Sequence, residues 1–166
     1  MTRILGIDPG SRVTGYGIVD DGPSARLVAE GTLHLPRQAP LPERLGQIFQ
    51  GLAGLVAEHQ PEEVALEQVF VHRNADTALK LGHARGAALA ACVSAGLPVA
   101  EYAPARIKQA VVGSGRAGKG QVGYMVRALL RLRSQPAEDA ADALATALCH
   151  AQHRSSPLGA AAGGRS

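Results

Sequence analysis

The stretch Ile4-Leu5-Gly6-Ile7-Asp8-Pro9-Gly10-Ser11-Arg12-Val13-Thr14-Gly15-Tyr16-Gly17 decides the fold. Residues 3–8 form an apolar run of strand length that ends in an acid and a Pro-Gly turn. That is the pattern of a buried strand stopped by its turn residues. Residues 13–19 set Gly15 and Gly17 among Val, Tyr and Ile and read as a second strand. After the Gly22-Pro23 turn, residues 25–35 read as a third, so an antiparallel meander opens the chain.

Beyond the meander the hydrophobic period changes. Leu45, Ile48, Phe49, Leu52, Leu55 and Val56 follow helical spacing, with Pro42 suited to the first turn and Pro61 closing the helix. Residues 64–67 read as a fourth strand, 75–95 as a long helix, 98–102 as a fifth strand and 104–112 as a short helix. A glycine-rich loop, 113–120, precedes an amphipathic helix marked by Val122, Met125, Val126, Leu129 and Leu130; residues 138–152 form the last helix. Three strands followed by alternating helices and strands predict an α/β domain with a mixed five-stranded sheet flanked by helices. One domain over 1–153 fits the length of 166 residues. Segment 154–166 is rich in Ser, Gly and Ala, lacks a core pattern and reads as a disordered tail.

With 46% hydrophobic and 19% charged residues the chain reads as globular. Aromatics are only 3% and Trp is absent, so aliphatic side chains must build the core. Cys92 and Cys149 lie far apart in helical patterns, which predicts buried, reduced thiols and a cytoplasmic protein. The first residues run straight into a strand, so no signal peptide is expected, and no apolar stretch is long enough to span a membrane. The net charge of +3 is mild, but its distribution is not. Between Glu101 and Glu138 there is no acid, whereas Arg106, Lys108, Arg116, Lys119, Arg127, Arg131 and Arg133 all fall there. That asymmetry points to a polyanionic partner rather than a merely solvated basic face.

The acids suggest chemistry. Asp8 and Glu67 end apolar runs, and Asp139 and Asp142 sit three apart in an alanine-rich helix pattern, hence on one face. Two of them have a bland explanation. Asp8 can cap its turn, and Asp139 can favour a helix N-terminus through the macrodipole. Glu67 in an apolar strand and Asp142 between Ala141 and Ala143 are harder to explain by solvation. Converging carboxylates repel unless a cation neutralises them. Such a set suits Mg²⁺, and two ions about 4 Å apart can clamp the attacking and leaving oxygens of a phosphodiester.

The opening stretch resembles that of the RuvC family of Holliday-junction resolvases. The resemblance continues through Glu67-Gln68-Val69-Phe70, Asn74-Ala75-Asp76, Leu79-Lys80-Leu81-Gly82, Ala84-Arg85-Gly86, Lys108-Gln109 and Val111-Val112-Gly113. Gln121-Val122, Met125-Val126-Arg127 and Asp139-Ala140-Ala141-Asp142-Ala143-Leu144 complete it, in order, over about the first 150 residues. It implies a ribonuclease-H-like fold and a homodimeric endonuclease that nicks four-way DNA junctions in pairs during recombination and repair. It implies that Asp8, Glu67, Asp139 and Asp142 bind Mg²⁺, with Mn²⁺ as substitute and two ions per subunit during catalysis. A RuvA-RuvB branch-migration complex is the partner it implies.

For Phe70 the residues leave two readings open, core filler or a platform for an unstacked base; the resemblance favours the second. Arg73 and Asn74 are then candidates for DNA backbone or base contact, against solvated loop residues. The resemblance puts Lys108 and Lys119 against DNA near the scissile phosphate, where either can stabilise developing charge; Lys119 is the catalytic candidate. Lys119, Arg127 and Arg131 read as a stripe along one helix face. Gly118 and Gly120 flank Lys119 and weaken a helix start, so a mobile Lys119 loop is expected. Gly82, Gly86 and Ala90 recur every four positions; tight packing on the sheet and, by resemblance, a dimer interface are both open.

Three rivals remain in view. Residues 113–120 nearly match a nucleotide-binding phosphate loop, but Gly120 stands where the Mg²⁺-holding Ser or Thr belongs. The Gly6-Ile7-Asp8-Pro9-Gly10 segment resembles the first phosphate loop of actin-like and sugar-kinase folds, which need a second such domain. A non-enzymatic junction-binding protein would use the basic segment but not the four acids.

Overall fold

Strand β1 (Thr2–Asp8) sorts its side chains between two cores, as the period of two requires. Ile4 joins one and Leu5 and Ile7 the other, so the strand is apolar on both faces. The computed structural model describes residues 1–69 and 74–156, and at Lys119 the backbone alone. β1 pairs antiparallel with β2 (Val13–Asp21), which pairs antiparallel with β3 (Arg26–His34). On its other side β1 pairs in parallel with β4 (Glu63–Glu67), and β4 in parallel with β5 (Val99–Tyr102). The sheet order is β3-β2-β1-β4-β5, the mixed five-stranded sheet expected.

Helices α1 (Leu41–His59) and α2 (Ala75–Ser94) cover the face shown by Leu5, Ile7, Ile18, Val64 and Leu66. Helices α3 (Pro104–Val112), α4 (Lys119–Leu129) and α5 (Glu138–Arg154) cover the other, where Ile4, Val19 and Ala65 point. α5 is the keystone. Its residues 140, 141, 143–145, 147–149 and 151 are buried apolar side chains, mostly Ala. Gly6 and Gly15 face it, and a Cβ on either would stand 2.0 Å and 2.1 Å from the Ala143 and Asp139 carbonyl oxygens. Only the missing side chains let the helix lie this close to the strands.

Three expectations are corrected. Lys119 does not belong to the glycine-rich loop by its backbone; it is the first residue of α4. The Gln121 side chain accepts the Gly118 N–H at 2.9 Å, and the Gly118 carbonyl accepts from Gln121 and Val122, which starts the helix despite two glycines. Arg131 is not on the α4 face. The helix ends at Leu129 and Arg131 takes a left-handed φ of 52°, so the stripe breaks there. Arg154 is not part of a structureless tail; it closes α5 and donates to Glu63 and Asp21 at 3.0 and 3.1 Å.

The small-residue stripe of α2 does not pack on the sheet. Gly82, Gly86 and Ala90 are exposed, and a Cβ at either glycine would meet nothing within 4 Å. The helix buries Ala84, Ala88, Ala91 and Cys92 instead. Cys92 and Cys149 are free and buried, and burial pushes both thiols up to about 11. No described helix is long and apolar enough to cross a membrane.

Candidate active site

The strand period decides where the acids point. On β1, Ile4 and Gly6 face α5, and Asp8 continues that alternation. On β4, Ala65 faces α5, so Glu63 and Glu67 share its side. The parallel pairing of β1 and β4 brings their C-terminal ends together, with Ile7 opposite Leu66. The first turns of α5 carry Asp139 and Asp142 to the same end, because Gly15 lets Asp139 settle against β2. All four acids line one cleft of about 300 Å³, with Lys108, Pro104, Ile107, Val122 and Ala145. A second cleft of about 330 Å³ shares Asp8, Glu67 and Pro104 and runs past Gln68 and Val69 to Leu81 of α2. Asp8 and Glu67 thus lie between two depressions of a trough open to solvent.

The electrostatics are unusual for structural carboxylates. Burial raises the Asp8 carboxyl first, then the charges of Asp142, Asp139 and Glu67, and then a hydrogen bond with Asp139, up to about 8. Acid facing acid at low solvation is costly, and it persists where a cation or a proton is meant to enter. Among the described residues no set of three or more His, Cys, Asp or Glu already forms a finished ligand shell. The donor set nevertheless fits a hard divalent ion: only carboxylate oxygens, from three elements, around one cleft.

Neighbouring residues hold the acids in place. Thr14 is fully buried; its hydroxyl donates to the Gly10 carbonyl at 3.1 Å and accepts the Gly10 N–H at 3.3 Å, locking the turn behind Asp8. Arg85 of α2 donates to the Glu67 carbonyl at 2.6 Å and to Glu101 at 2.5 Å, which fixes the end of β4. Sequence reasoning assigned neither residue a role. Both lie inside the matching motifs, but a buried hydroxyl and a long-range carbonyl contact leave no periodic signal.

The candidate nucleic-acid residues are dispersed. Lys108 joins the acids. Asn74 caps α2, its Oδ1 accepting from Asp76 and Thr77 at 3.0 and 3.2 Å. Arg127 is exposed on α4 and folds toward the Leu132 and Arg133 carbonyls, away from the cleft. Phe70, Arg73 and the Lys119 side chain lie outside the described residues. Residues 113–118 follow helix α3 rather than a strand, so the strand–loop–helix context of a phosphate loop is missing. A larger cleft of about 550 Å³, lined by Arg106, Gln109, Cys149 and His153 among others, lies between α3 and the end of α5, with no carboxylate among the described residues that line it.

A mixed sheet of this order, with acids at the ends of its two central parallel strands and on the helix crossing them, defines a ribonuclease-H-like domain with a carboxylate site. The family model for crossover junction endodeoxyribonuclease RuvC matches residues 4–150. The crossover junction endodeoxyribonuclease RuvC of Halorhodospira halophila is 84% identical over 164 residues, covering 99% of this chain and 98% of that one. That of Alkalilimnicola ehrlichii is 66% identical over 151 residues, covering 90% and 91%. The structure of Thermus thermophilus RuvC in complex with a Holliday junction substrate superposes with a TM-score of 0.86 at 40% identity, covering 91% and 93%. The chain belongs to the RuvC family.

Proposed function

We propose that the protein is a crossover junction endodeoxyribonuclease that resolves four-way DNA junctions by paired symmetric nicks in recombination and repair. Family membership over almost the whole chain supports the reaction class. The observation that carries the chemistry is Asp8, raised to about 8 by burial and by acids from three other positions that share its cleft. Asp8, Glu67, Asp139 and Asp142 would hold Mg²⁺, with Mn²⁺ as substitute and two ions during catalysis. Bound there, the ions would supply Lewis acidity at the scissile phosphate and acidify the attacking water. Lys108, at the rim of the same cleft, offsets phosphate charge as it builds. Lys119, the first residue of α4 by its backbone, is the proposed catalytic lysine, and the helix N-terminus there favours an anion. Phe70, which the family resemblance favours as a base platform, Arg73 and Asn74 close to it in sequence, and Arg127 from the basic segment are the further proposed DNA contacts.

Two chains pair through α2, whose outer face offers Gly82, Gly86 and Ala90 between Leu79 and Val93, 62% and 60% exposed. A two-fold dimer would set two carboxylate clefts on a two-fold junction. A RuvA-RuvB motor is the proposed partner, and residues 1–153 carry the nuclease.

Cleavage of a synthetic four-way junction against linear duplex of the same sequence, with Mg²⁺ and with EDTA, tests the reading. Paired nicks on the junction alone, lost in EDTA, are expected. Equal cutting of both substrates, or cutting that survives EDTA, would overturn it.

A further inference from the structure

The basic segment continues past the cleft. α4 spans eleven residues, so its end lies about 16 Å from Lys119. There the chain turns back on itself: Leu130 N–H bonds Val126, Arg131 N–H bonds Ala128 and Leu132 N–H bonds Arg127, at 3.0, 3.2 and 2.9 Å. The Arg127 side chain braces the same turn through the Leu132 and Arg133 carbonyls, both at 3.4 Å. The turn and the tip of the β2–β3 hairpin enclose a groove of about 500 Å³ lined by Arg26, Arg131, Arg133, Leu27, Leu129 and Leu132 among others. Among the described residues no acid lines it, and Arg26 reaches out of it to Asp20 at 3.7 Å. Between cleft and groove, the outer face of α4 presents Tyr124, 68% exposed in a chain with only three tyrosines.

Arg131 and Arg133 are exposed. Yet the turn that carries Arg131 accepts left-handed backbone and is pinned from both sides, which presents the guanidinium groups on a fixed support. α2 covers the opposite face of the sheet, so pairing through α2 leaves the groove open. We propose that the outer face of α4 and this groove form a second subsite, which grips the phosphate backbone of a junction arm several nucleotides from the scissile phosphate. Tyr124 lies flat along the sugar–phosphate path, and Arg131, Arg133 and Arg26 take successive phosphates. At 3.4 Å per base pair, 16 Å corresponds to about five nucleotides. The subsite rests on the proposed junction cleavage and adds where an arm runs. The rival occupant, an acidic protein segment on the leucine floor, is the other outcome of the test.

Methylphosphonates, which remove phosphate charge, are placed at successive positions along one arm of a four-way junction. Binding is measured in Ca²⁺ with wild type and with the Arg131→Asn, Arg133→Gln double variant; Asn suits the left-handed position. Neutralising phosphates about four to six nucleotides from the cut should weaken wild-type binding roughly ten-fold and leave the variant unaffected. The variant should also lose about two units from the slope of log Kd against log salt. Equal sensitivity of both proteins at every position would overturn the subsite. An unchanged Kd and salt slope in the variant would also overturn it and leave the groove to an acidic protein partner. Failure of wild type to bind or cut junctions at all would instead overturn the proposed function itself.

Discussion

The two ends of α5 meet the same strand, β4, and treat its acids in opposite ways. At the C-terminal end, Glu63 accepts from Arg154 at 3.0 Å and meets His150 Nε2 at 2.5 Å, while His150 Nδ1 lies 2.6 Å from the Tyr102 hydroxyl. Arg154 also reaches Asp21. Every acid there has a basic partner, and the ring ties β2, β4, β5 and α5 together. At the N-terminal end, four residues along the same strand face, Glu67 shares a cleft with Asp8, Asp139 and Asp142, and acid raises acid. The fold ties its carboxylates into an ion-paired ring at the neutralised end and gathers four of them in one cleft at the crowded end, which suits the first to structure and the second to a ligand.

Asp8→Asn should break the crowded end most severely. Cleavage of a four-way junction in Mg²⁺ is expected to fall about a thousand-fold, since several kcal/mol of metal-assisted stabilisation are lost. Gel-shift binding in Ca²⁺ should persist; joint loss of binding and cutting in a folded variant would refute the assignment of roles. Next in size is Gly15→Ala, whose Cβ would collide with the Asp139 carbonyl. Moving Asp139 by about an ångström should cost roughly a hundred-fold in rate. A variant with full rate would show that α5 need not lie so close.

Thermal unfolding in EDTA sharpens the contrast. The folded Asp8 carboxyl, near 8, lies above its ordinary value of 3.8, so the folded state holds the extra proton between those limits. Its contribution to stability is therefore full at acid pH and declines as pH rises from about 4 to about 8. Asp8→Asn should lose that slope, so the Tm difference, variant minus wild type, should grow across the window and level off above it. A difference independent of pH would mean that the Asp8 carboxyl is not raised. Mg²⁺ should raise the wild-type Tm at pH 8 more than at pH 5.5, because protons compete for the same oxygens. The smallest effect belongs to the neutralised end. Glu63→Gln should cost about 1–3 kcal/mol in urea unfolding and leave cleavage within a few-fold. A large loss of rate at unchanged stability would mean that the two ends of α5 are not separable.

Much of this was legible in the linear chain. Period-two and period-3.6 patterning located all five strands and the helices to within a few residues. The runs ending in Asp8 and Glu67, and the Asp139–Asp142 pair in an alanine helix, named the cleft's acids. Weak helix formers misled at Lys119, and residue spacing misled at Arg131. The Gln121 cap overrides two weak helix formers, and a left-handed turn ends the helix before Arg131. Arg154 was misplaced because its partners, Glu63 and Asp21, lie far away in sequence.

The sequence by itself determined which residues are strand, helix and acid, because hydrophobic period and turn chemistry are local properties. Only the tertiary structure decided that Glu67 faces Asp8 while Glu63 faces His150, and that Arg85 and Thr14 brace the cleft. It also set Arg26 beside Arg131 and Arg133 at the far end of α4. Those relations depend on the parallel register of β1 with β4 and on the depth at which glycines let α5 settle, and neither distance exists along the chain.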